Sequence, residues 1–257
     1  ALMWLMMGVE QPAMTAVIAR MTDATRNLAA FGVAFAIALV IESPILQLLS
    51  AATALTHDVH RYKRLLHFMH ICAVGLTLLH VVVGATPLFG ALVRVLLRVP
   101  EEVIEPSRAA FLTLAPFTAA VGYRRLWQGV LIKFGRTGAV PLTMISRLVT
   151  MAAVLTAGFA FDLLPGNILA SAALLVGVVA GAASAYIFYR FSVAKEIPED
   201  SGEPELSWSE LLSFYVPLSM TSVIFLAARP LLTFGIARSL LPLPSLAVWP
   251  VLHGFLF

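Results

Sequence analysis

Four ionisable side chains stand inside long apolar stretches of the sequence, where each could carry chemistry. They are Glu10, Glu42, Arg147 and Arg229. In hydrocarbon an ionisable side chain costs at least about 2.5 to 3.5 kcal/mol, so each requires a partner, a water-filled cavity or a function. These residues are therefore the first candidates for a site.

Three of the four lie one or two positions before a proline. Those prolines are Pro12, Pro44 and Pro230, which follow Glu10, Glu42 and Arg229. A proline inside a helix removes one backbone hydrogen bond and bends the helix, which exposes carbonyl oxygens that a cation can use. The sequence therefore predicts a helix break beside a cavity at each proline.

The two carboxylates are predicted to bind substrate or a coupling ion, either a proton or sodium. A carboxylate beside a helix break suits such an ion, and its recurrence at Glu10 and Glu42 favours a functional role. The alternative for both is a structural ion pair. For Glu42 a position against a neighbouring helix also stays open.

Arg229 stays charged at any biological pH and must find an anion. That anion is either a carboxylate or phosphate of the substrate, or a carboxylate of this protein, Glu10 or Glu42. Arg147 has a simpler interpretation, because a long side chain can extend its charged end towards the lipid head groups.

The composition places these residues in a membrane protein. Hydrophobic residues make up 60% of the chain and charged residues 12%, and the mean hydropathy is +0.92, too apolar for a water-soluble globule. The formal charge of +3 comes from scattered basic residues, so we expect the lipid bilayer and a small-molecule substrate as partners, and no nucleic acid.

Apolar blocks of about 20 residues or more have the length of membrane-spanning helices. The predicted spans are Leu2 to Ala19, Leu28 to Leu55, Leu65 to Val95, Ala109 to Phe134, Val140 to Phe161, Ile168 to Phe191 and Leu211 to Ala237, with an eighth from Leu246. The fold class is therefore predicted as all-α, a polytopic transmembrane helix bundle.

One strongly hydrophilic stretch follows the sixth span and is predicted to link two lobes. The domains are then residues 1–194, a first six-helix lobe with its first helix cut short, residues 195–207, an acidic linker, and residues 208–257, the start of a second lobe. Both ends of the sequence look cut, so we expect a fragment of a longer chain.

The Lys and Arg residues of the loops predict the orientation. One side collects Arg61, Lys63, Arg64, Arg124, Arg125, Lys133, Arg136, Arg190 and Lys195. The other side collects Arg20, Arg26, Arg94, Arg98, Arg108 and Arg238. Because all three lysines share the first side, we place that side and the linker in the cytoplasm.

A weak internal repeat appears when Pro12 is aligned with Pro230 without gaps. Thr15 then meets Thr233, and Arg20 meets Arg238. Six spans separate equivalent positions, so both copies enter the membrane from the same face. Parallel repeats of this kind occur in secondary transporters, with the substrate site between the halves.

Two further features are assigned to packing. Cys72 is the only cysteine and lies in an apolar run, so it predicts neither a disulfide nor a thiolate metal site. Gly177 and Gly181 form a GxxxG-type face that lets another helix approach closely. Neither feature indicates chemistry.

Motifs of soluble enzymes are missing from the sequence, which has no Gly-rich phosphate loop, no GxSxG and no HExxH. Four histidines at helical spacing, His57, His60, His67 and His70, lack a carboxylate or cysteine that would complete a zinc site. We interpret them, with the basic residues around them, as an interfacial segment that touches head groups. We expect no enzyme, no metal site and no cofactor beyond a coupling ion.

Several segments resemble MATE-like proteins, and most closely the bacterial relatives of the progressive ankylosis protein. They are residues 27–35 (NLAAFGVAF), 107–112 (SRAAFL), 124–132 (RRLWQGVLI), 212–218 (LSFYVPL) and the pair Arg229-Pro230. The resemblance covers nearly the whole chain. It implies the multidrug/oligosaccharidyl-lipid/polysaccharide (MOP) exporter superfamily, with two six-helix lobes, a central cavity and alternating access, in a bacterial inner membrane.

The resemblance also shapes the expected function, a secondary-active exporter of small organic solutes. Ankylosis-type proteins are linked to export of anions such as ATP, citrate or pyrophosphate, and Arg229-Pro230 matches a pair in them. MATE proteins place a carboxylate near Glu10, although theirs is usually an Asp nearer the other end of the helix. Alternatives are a cation-coupled multidrug exporter, a lipid-linked precursor flippase, or a membrane scaffold without transport.

Overall fold

The computed structural model of the protein describes residues 2–255, and the side chains of residues 8–95 and 97–254. All regular structure in this part of the chain is helical. The long helices are α1 (Leu2–Ile18), α2 (Ala24–Glu42), α4 (Val59–Ala85), α7 (Phe117–Lys133), α8 (Ala139–Ala160), α9 (Gly166–Ser192) and α10 (Trp208–Ile236). The shorter helices are α3 (Leu48–Leu55), α5 (Pro87–Ala91), α6 (Glu101–Thr113) and α11 (Pro242–Phe255).

Five helical segments within residues 2–255 are long and apolar enough to cross a membrane. They are Ala24–Leu55, Val59–Ala85, Ala139–Ala160, Gly166–Ser192 and Trp208–Ile236. Large apolar side chains such as Val74 and Ile224 are exposed on the outside of the bundle, where lipid can cover them. The predicted all-α transmembrane bundle is confirmed, and the protein is an integral membrane protein.

The second span bends at Pro44, where the α-helix gives way to a 3₁₀ turn, Ser43–Gln47, before α3 begins. Ser43 Oγ donates to the Val40 carbonyl at 2.6 Å, and Tyr215 OH on α10 donates to the Pro44 carbonyl at 2.6 Å. Side chains therefore satisfy carbonyls near the irregular turn, as the membrane interior requires. Glu42 is the last residue of α2 and stands at this turn.

The third predicted span, Leu65 to Val95, is wrong in its bounds. Helix α4 ends at Ala85, and Thr86 has an extended backbone (φ −105°, ψ 170°). The residue before a proline is disfavoured in the helical region, and Pro87 lacks the N–H that would continue the helix. A new helix, α5, begins at Pro87, and a π-helical turn, Leu92–Leu97, follows it.

The fourth predicted span, Ala109 to Phe134, is two helices. Helix α6 begins at Glu101, where negative charge in the first turn complements the helix dipole, and ends at Thr113. Helix α7 begins after Pro116. Hydropathy alone missed this interruption because the residues around Pro116 are apolar. The other predicted spans match their helices to within about one turn.

The stretch after α3, which is predicted to touch lipid head groups, contacts the acidic segment around the start of α10. Arg61 is 5% exposed; its guanidinium donates to the Pro204 carbonyl at 2.8 Å and lies 3.3 Å from the carboxylates of Glu203 and Glu210. His57 Nδ1 lies 2.6 Å from Glu203 Oε2. These contacts with the acidic segment hold the start of α4 in place.

Asp58 is the N-cap of α4 and a further anchor of this segment. Its Oδ1 accepts the Arg61 backbone N–H at 2.8 Å, and its Oδ2 accepts the Ser201 hydroxyl at 2.5 Å. Partial burial raises the pKa of Asp58, but the hydrogen bonds from Ser201 and from the backbone lower it more, so the pKa lies below its ordinary value. The ionised cap is therefore present at neutral pH and is lost only as the pH falls through the lowered pKa.

We expect Asp58→Ala to lower the free energy of unfolding by about 1 kcal/mol, because an alanine cannot accept the orphan N–H of the first turn. Asp58→Asn, which is also a good N-cap, should retain most of the stability at neutral pH. Denaturant titration in detergent at pH 7 would compare the three proteins. Unchanged stability of Asp58→Ala would show that the side-chain cap contributes nothing, and an equal loss in Asp58→Asn would show that a neutral amide cannot replace the carboxylate.

Candidate functional site

A central cavity of ≈ 420 Å³ lies among α1, α2, α7, α8, α9 and α10. Its wall comprises Gly8, Glu10, Gln11, Met14, Phe35, Leu39, Glu42, Leu46, Phe117, Arg124, Arg125, Arg147, Leu174, Thr221, Ser222, Phe225, Leu226 and Arg229. The residues come from widely separated parts of the sequence, and most contributing positions lie well inside their helices. The cavity therefore lies within the bundle rather than at its ends.

All four ionisable residues singled out in the sequence line this cavity, and two more arginines join them. Glu10, Glu42 and Arg229 meet there, although the closest of them in sequence are 32 residues apart. Together four arginines and two glutamates give the wall a formal excess of two positive charges. Such a wall in a low-dielectric setting attracts anions.

Glu10 is paired with Arg147. Arg147 Nη2 donates to Glu10 Oε2 at 2.5 Å, and the two residues are 5% and 6% exposed, respectively. The expectation that Arg147 extends to the head groups is therefore wrong, because a buried carboxylate on α1 gives its charge a nearer partner. The second oxygen of Glu10, Oε1, has no hydrogen-bond donor among the described residues.

Glu42 stands at the turn that ends α2 and is 3% exposed. Its Oε2 has no hydrogen-bond donor among the described side chains and backbone. The carboxylate therefore retains binding capacity towards the cavity. A proton, a cation or a donor group of a substrate could use it.

Arg229 lies with its guanidinium carbon 5.8 Å from the centre of the Phe35 ring, a cation–π distance. It also borders a second, much smaller cavity together with Trp249 and His253. Glu10, which was considered as a partner for Arg229, forms its ion pair with Arg147.

The three prolines lie next to the cavity wall rather than in it. Pro44 lies at the start of the 3₁₀ turn. The helix breaks predicted at Pro12 and Pro230 are wrong, because α1 continues through Pro12 and α10 continues through Pro230. At both helical prolines a threonine hydroxyl donates to the carbonyl that precedes the proline: Thr15 donates to the Gln11 carbonyl at 3.0 Å, and Thr233 donates to the Arg229 carbonyl at 3.1 Å.

Arg124 and Arg125 are the residues that sequence reasoning missed. Both were counted among loop cations on the cytoplasmic side, but the structure places them in α7, facing the cavity. Arg124 is 2% exposed; its polar contacts are Gln128 Oε1 at 3.5 Å and the Met144 sulfur at 3.6 Å. Within the described residues neither arginine forms an ion pair with a carboxylate.

A signal for these two arginines was present in the sequence. They stand in the middle of an apolar block rather than between blocks. As for Arg147, a charged side chain inside such a block requires a partner, a water-filled cavity or a function. Three or more His, Cys, Asp or Glu side chains do not gather at a metal-binding distance anywhere in the described part of the chain. The chemistry that the cavity offers is anion binding by guanidinium groups, with carboxylates that can hold a proton or a cation.

Comparison with known proteins agrees with the fold. The family model for the progressive ankylosis protein (ANKH) matches residues 5–245. The structure is similar to the inward-facing conformation of a multidrug resistance MATE family transporter of the MOP superfamily, with a TM-score of 0.65 and 15% sequence identity. The similarity covers 95% of this chain and 56% of that one, so this chain spans just over half of the solved transporter's length. No curated protein matches the chain significantly.

The resemblance seen in the sequence is thereby confirmed for family and fold. At 15% identity the likeness to the solved transporter establishes the fold alone, whereas the family match extends over most of the sequence. The chain belongs to the progressive ankylosis protein family and has a MATE-like fold.

Proposed function

We propose that this protein is a secondary-active membrane exporter of small organic anions. The observation that carries the proposal is the cavity with four arginines and two glutamates, in which the adjacent Arg124 and Arg125 have no carboxylate partner among the described residues. Guanidinium groups bind carboxylates and phosphates through two parallel hydrogen bonds. The MATE-like fold supports transport as the use of this cavity.

Transport is proposed to proceed by alternating access between two six-helix lobes. The cavity takes its wall from α1, α2, α7, α8 and α9 of the proposed first lobe, residues 1–194, and from α10 of the proposed second lobe, residues 208–257. A solute held between two lobes becomes exposed to one side of the membrane or the other as the lobes rock. We place the linker, residues 195–207, in the cytoplasm and the protein in a bacterial inner membrane.

Glu10 and Glu42 are proposed as the sites of a coupling ion, a proton or sodium. Of the two, Glu42 is the better candidate, because its Oε2 accepts no hydrogen bond from the described residues, whereas Glu10 already accepts one from Arg147. Neutralising a carboxylate in the wall strengthens the attraction for an anion, so occupation of Glu10 or Glu42 by an ion should change the affinity of the cavity for the solute.

A cation-coupled multidrug exporter is the second candidate. The similar solved structure is that of a multidrug resistance transporter, and the two buried carboxylates of the cavity suit a cationic solute. The excess of positive charge in the wall argues for the anion, because a cation would have to overcome it.

Uptake into inside-out vesicles containing the full-length protein would test the proposal with ATP, citrate and a cationic dye. We expect wild type to take up at least one anion, and Arg229→Ala to reduce that uptake about tenfold by loss of one charge-assisted contact. Glu10→Gln should reduce uptake if Glu10 binds the coupling ion, and undiminished uptake would remove that role.

Arg238→Ala is the matched control, because Arg238 also lies over a phenylalanine ring, that of Phe234 at 3.3 Å, but is outside the cavity wall. Its uptake should equal that of wild type. Uptake of the dye alone would overturn the anion proposal in favour of drug export. No flux of any probe would favour a lipid-linked precursor flippase or a scaffold.

A further inference from the structure

Behind Arg124 a chain of three hydrogen bonds leads away from the cavity. Arg124 Nη1 points to Gln128 Oε1 at 3.5 Å, Gln128 Nε2 donates to Thr143 Oγ1 at 2.6 Å, and the Thr143 hydroxyl donates to the Val140 carbonyl at 2.7 Å. Gln128 and Thr143 are completely buried, and neither lines the cavity. These hydrogen bonds can therefore affect the cavity only by holding the Arg124 side chain.

The Val140 carbonyl determines which group donates and which accepts in each of these hydrogen bonds. A backbone carbonyl can only accept, so the single hydroxyl hydrogen of Thr143 goes to Val140. The hydroxyl oxygen must then accept, and only the NH₂ group of the Gln128 amide can donate to it. The amide oxygen of Gln128 is left facing Arg124, where it can accept from the guanidinium.

Helix α9 limits the other side of Arg124. A Cβ placed on Gly181 would lie 3.2 Å from Arg124 Cδ and 3.4 Å from the Thr143 carbonyl oxygen. The glycine thus provides the space that the arginine stem occupies. The GxxxG-type face assigned to packing therefore also shapes the cavity wall.

We infer that Gln128 and Thr143 are positioning residues that hold Arg124 ready for the transported anion; the inference rests on the proposed function. An arginine side chain loses rotamer freedom on binding, and holding it in its bound position in advance removes part of that cost. A neutral amide does this without cancelling the charge, in contrast to Glu10, which neutralises Arg147. Arg124 therefore keeps its full charge for the substrate.

The test compares Thr143→Val, which has nearly the same shape but no hydroxyl, with Thr143→Ser, which keeps it. The KM and Vmax for citrate, or for whichever of ATP and citrate the wild type transports, are measured in inside-out vesicles with the full-length protein. We expect KM to rise about tenfold in Thr143→Val, the size of one lost hydrogen bond, with Vmax per folded transporter unchanged. Thr143→Ser should stay within about twofold of wild type in KM.

Thr53→Val provides a matched control. Thr53 Oγ1 also donates to a helix carbonyl, that of Leu49 at 2.8 Å, but it belongs to no series of hydrogen bonds that reaches an arginine side chain among the described residues. Its KM should not change. If Thr143→Val does not reach the membrane, the nearly isosteric Gln128→Glu takes its place, since a carboxylate beside Arg124 would neutralise it and raise KM at least as much.

An unchanged KM in Thr143→Val, with or without a lower Vmax, would overturn the inference while leaving the proposed function intact. The same holds if Thr53→Val raises KM equally. No anion uptake by wild type would overturn the proposed function itself, and the inference with it.

Discussion

Replacing Arg124 with glutamine is expected to reduce anion uptake about 100-fold, the largest effect of any cavity substitution. A hydrogen bond between charged groups contributes up to about 3 kcal/mol, and each 1.4 kcal/mol is about tenfold. Arg124 is 2% exposed, and its polar contacts among the described residues are a neutral amide and a sulfur. Its charge is therefore available to the solute rather than neutralised by a carboxylate.

Arg124→Lys should show an intermediate loss, about tenfold, because the ammonium keeps the charge but not the fork that matches a carboxylate or phosphate. Arg136→Gln is the control, since Arg136 pairs with Glu196 at 2.5 Å while both side chains are about half exposed. Initial rates of citrate and ATP uptake, divided by the amount of folded protein, provide the comparison. Wild-type uptake in Arg124→Gln would remove Arg124 from the anion site.

Removing the carboxylate of Glu10 is expected to lower the free energy of unfolding by about 3 to 5 kcal/mol, the cost of leaving a buried charge without its partner. In Glu10→Gln the Arg147 guanidinium stays charged, because an arginine keeps its proton in proteins. Arg147→Met should cost less, since an unpaired glutamate can become neutral by taking up a proton.

The double variant Glu10→Gln/Arg147→Met should recover most of the stability, since it leaves no unpaired charge. Glu196→Gln is the matched control: it breaks an ion pair of the same 2.5 Å length at the surface and should cost less than about 1 kcal/mol. Unfolding by denaturant in mild detergent gives the values. Equal losses for Glu10→Gln and Glu196→Gln would show that burial adds nothing to the Glu10–Arg147 pair.

The expected loss of stability in Glu10→Gln also affects how transport by this variant is interpreted. A destabilised variant delivers less folded protein to the membrane, so low flux alone does not identify a coupling residue. Flux per folded transporter, measured over a range of pH, separates the two effects. A loss that disappears after this normalisation would leave Glu10 as the structural partner of Arg147.

Membrane location, and roughly where most of the helices run, can be predicted from the amino-acid sequence without the structure. Hydropathy is a local property, so an apolar block predicts a spanning helix before any neighbour is known. Hydropathy also identified Glu10, Glu42 and Arg229 as candidate site residues, because a charge inside an apolar block can be recognised before the fold is known. All three line the central cavity.

The partner of each charged side chain could not be predicted from the sequence and depends on how the helices pack. Arg147 pairs with a carboxylate 137 positions away, and no local pattern favours that partner over Glu42 or a lipid head group. The structure likewise turned Arg124 and Arg125 from loop cations into cavity residues. The direction in which a helical residue points is set by the helices packed around it, here α8 and α9 against α7. Charge and hydropathy are properties of a short stretch of sequence. The ion-pair partner of a side chain and the surface that it faces depend on contacts between distant segments, which form only when the helices pack.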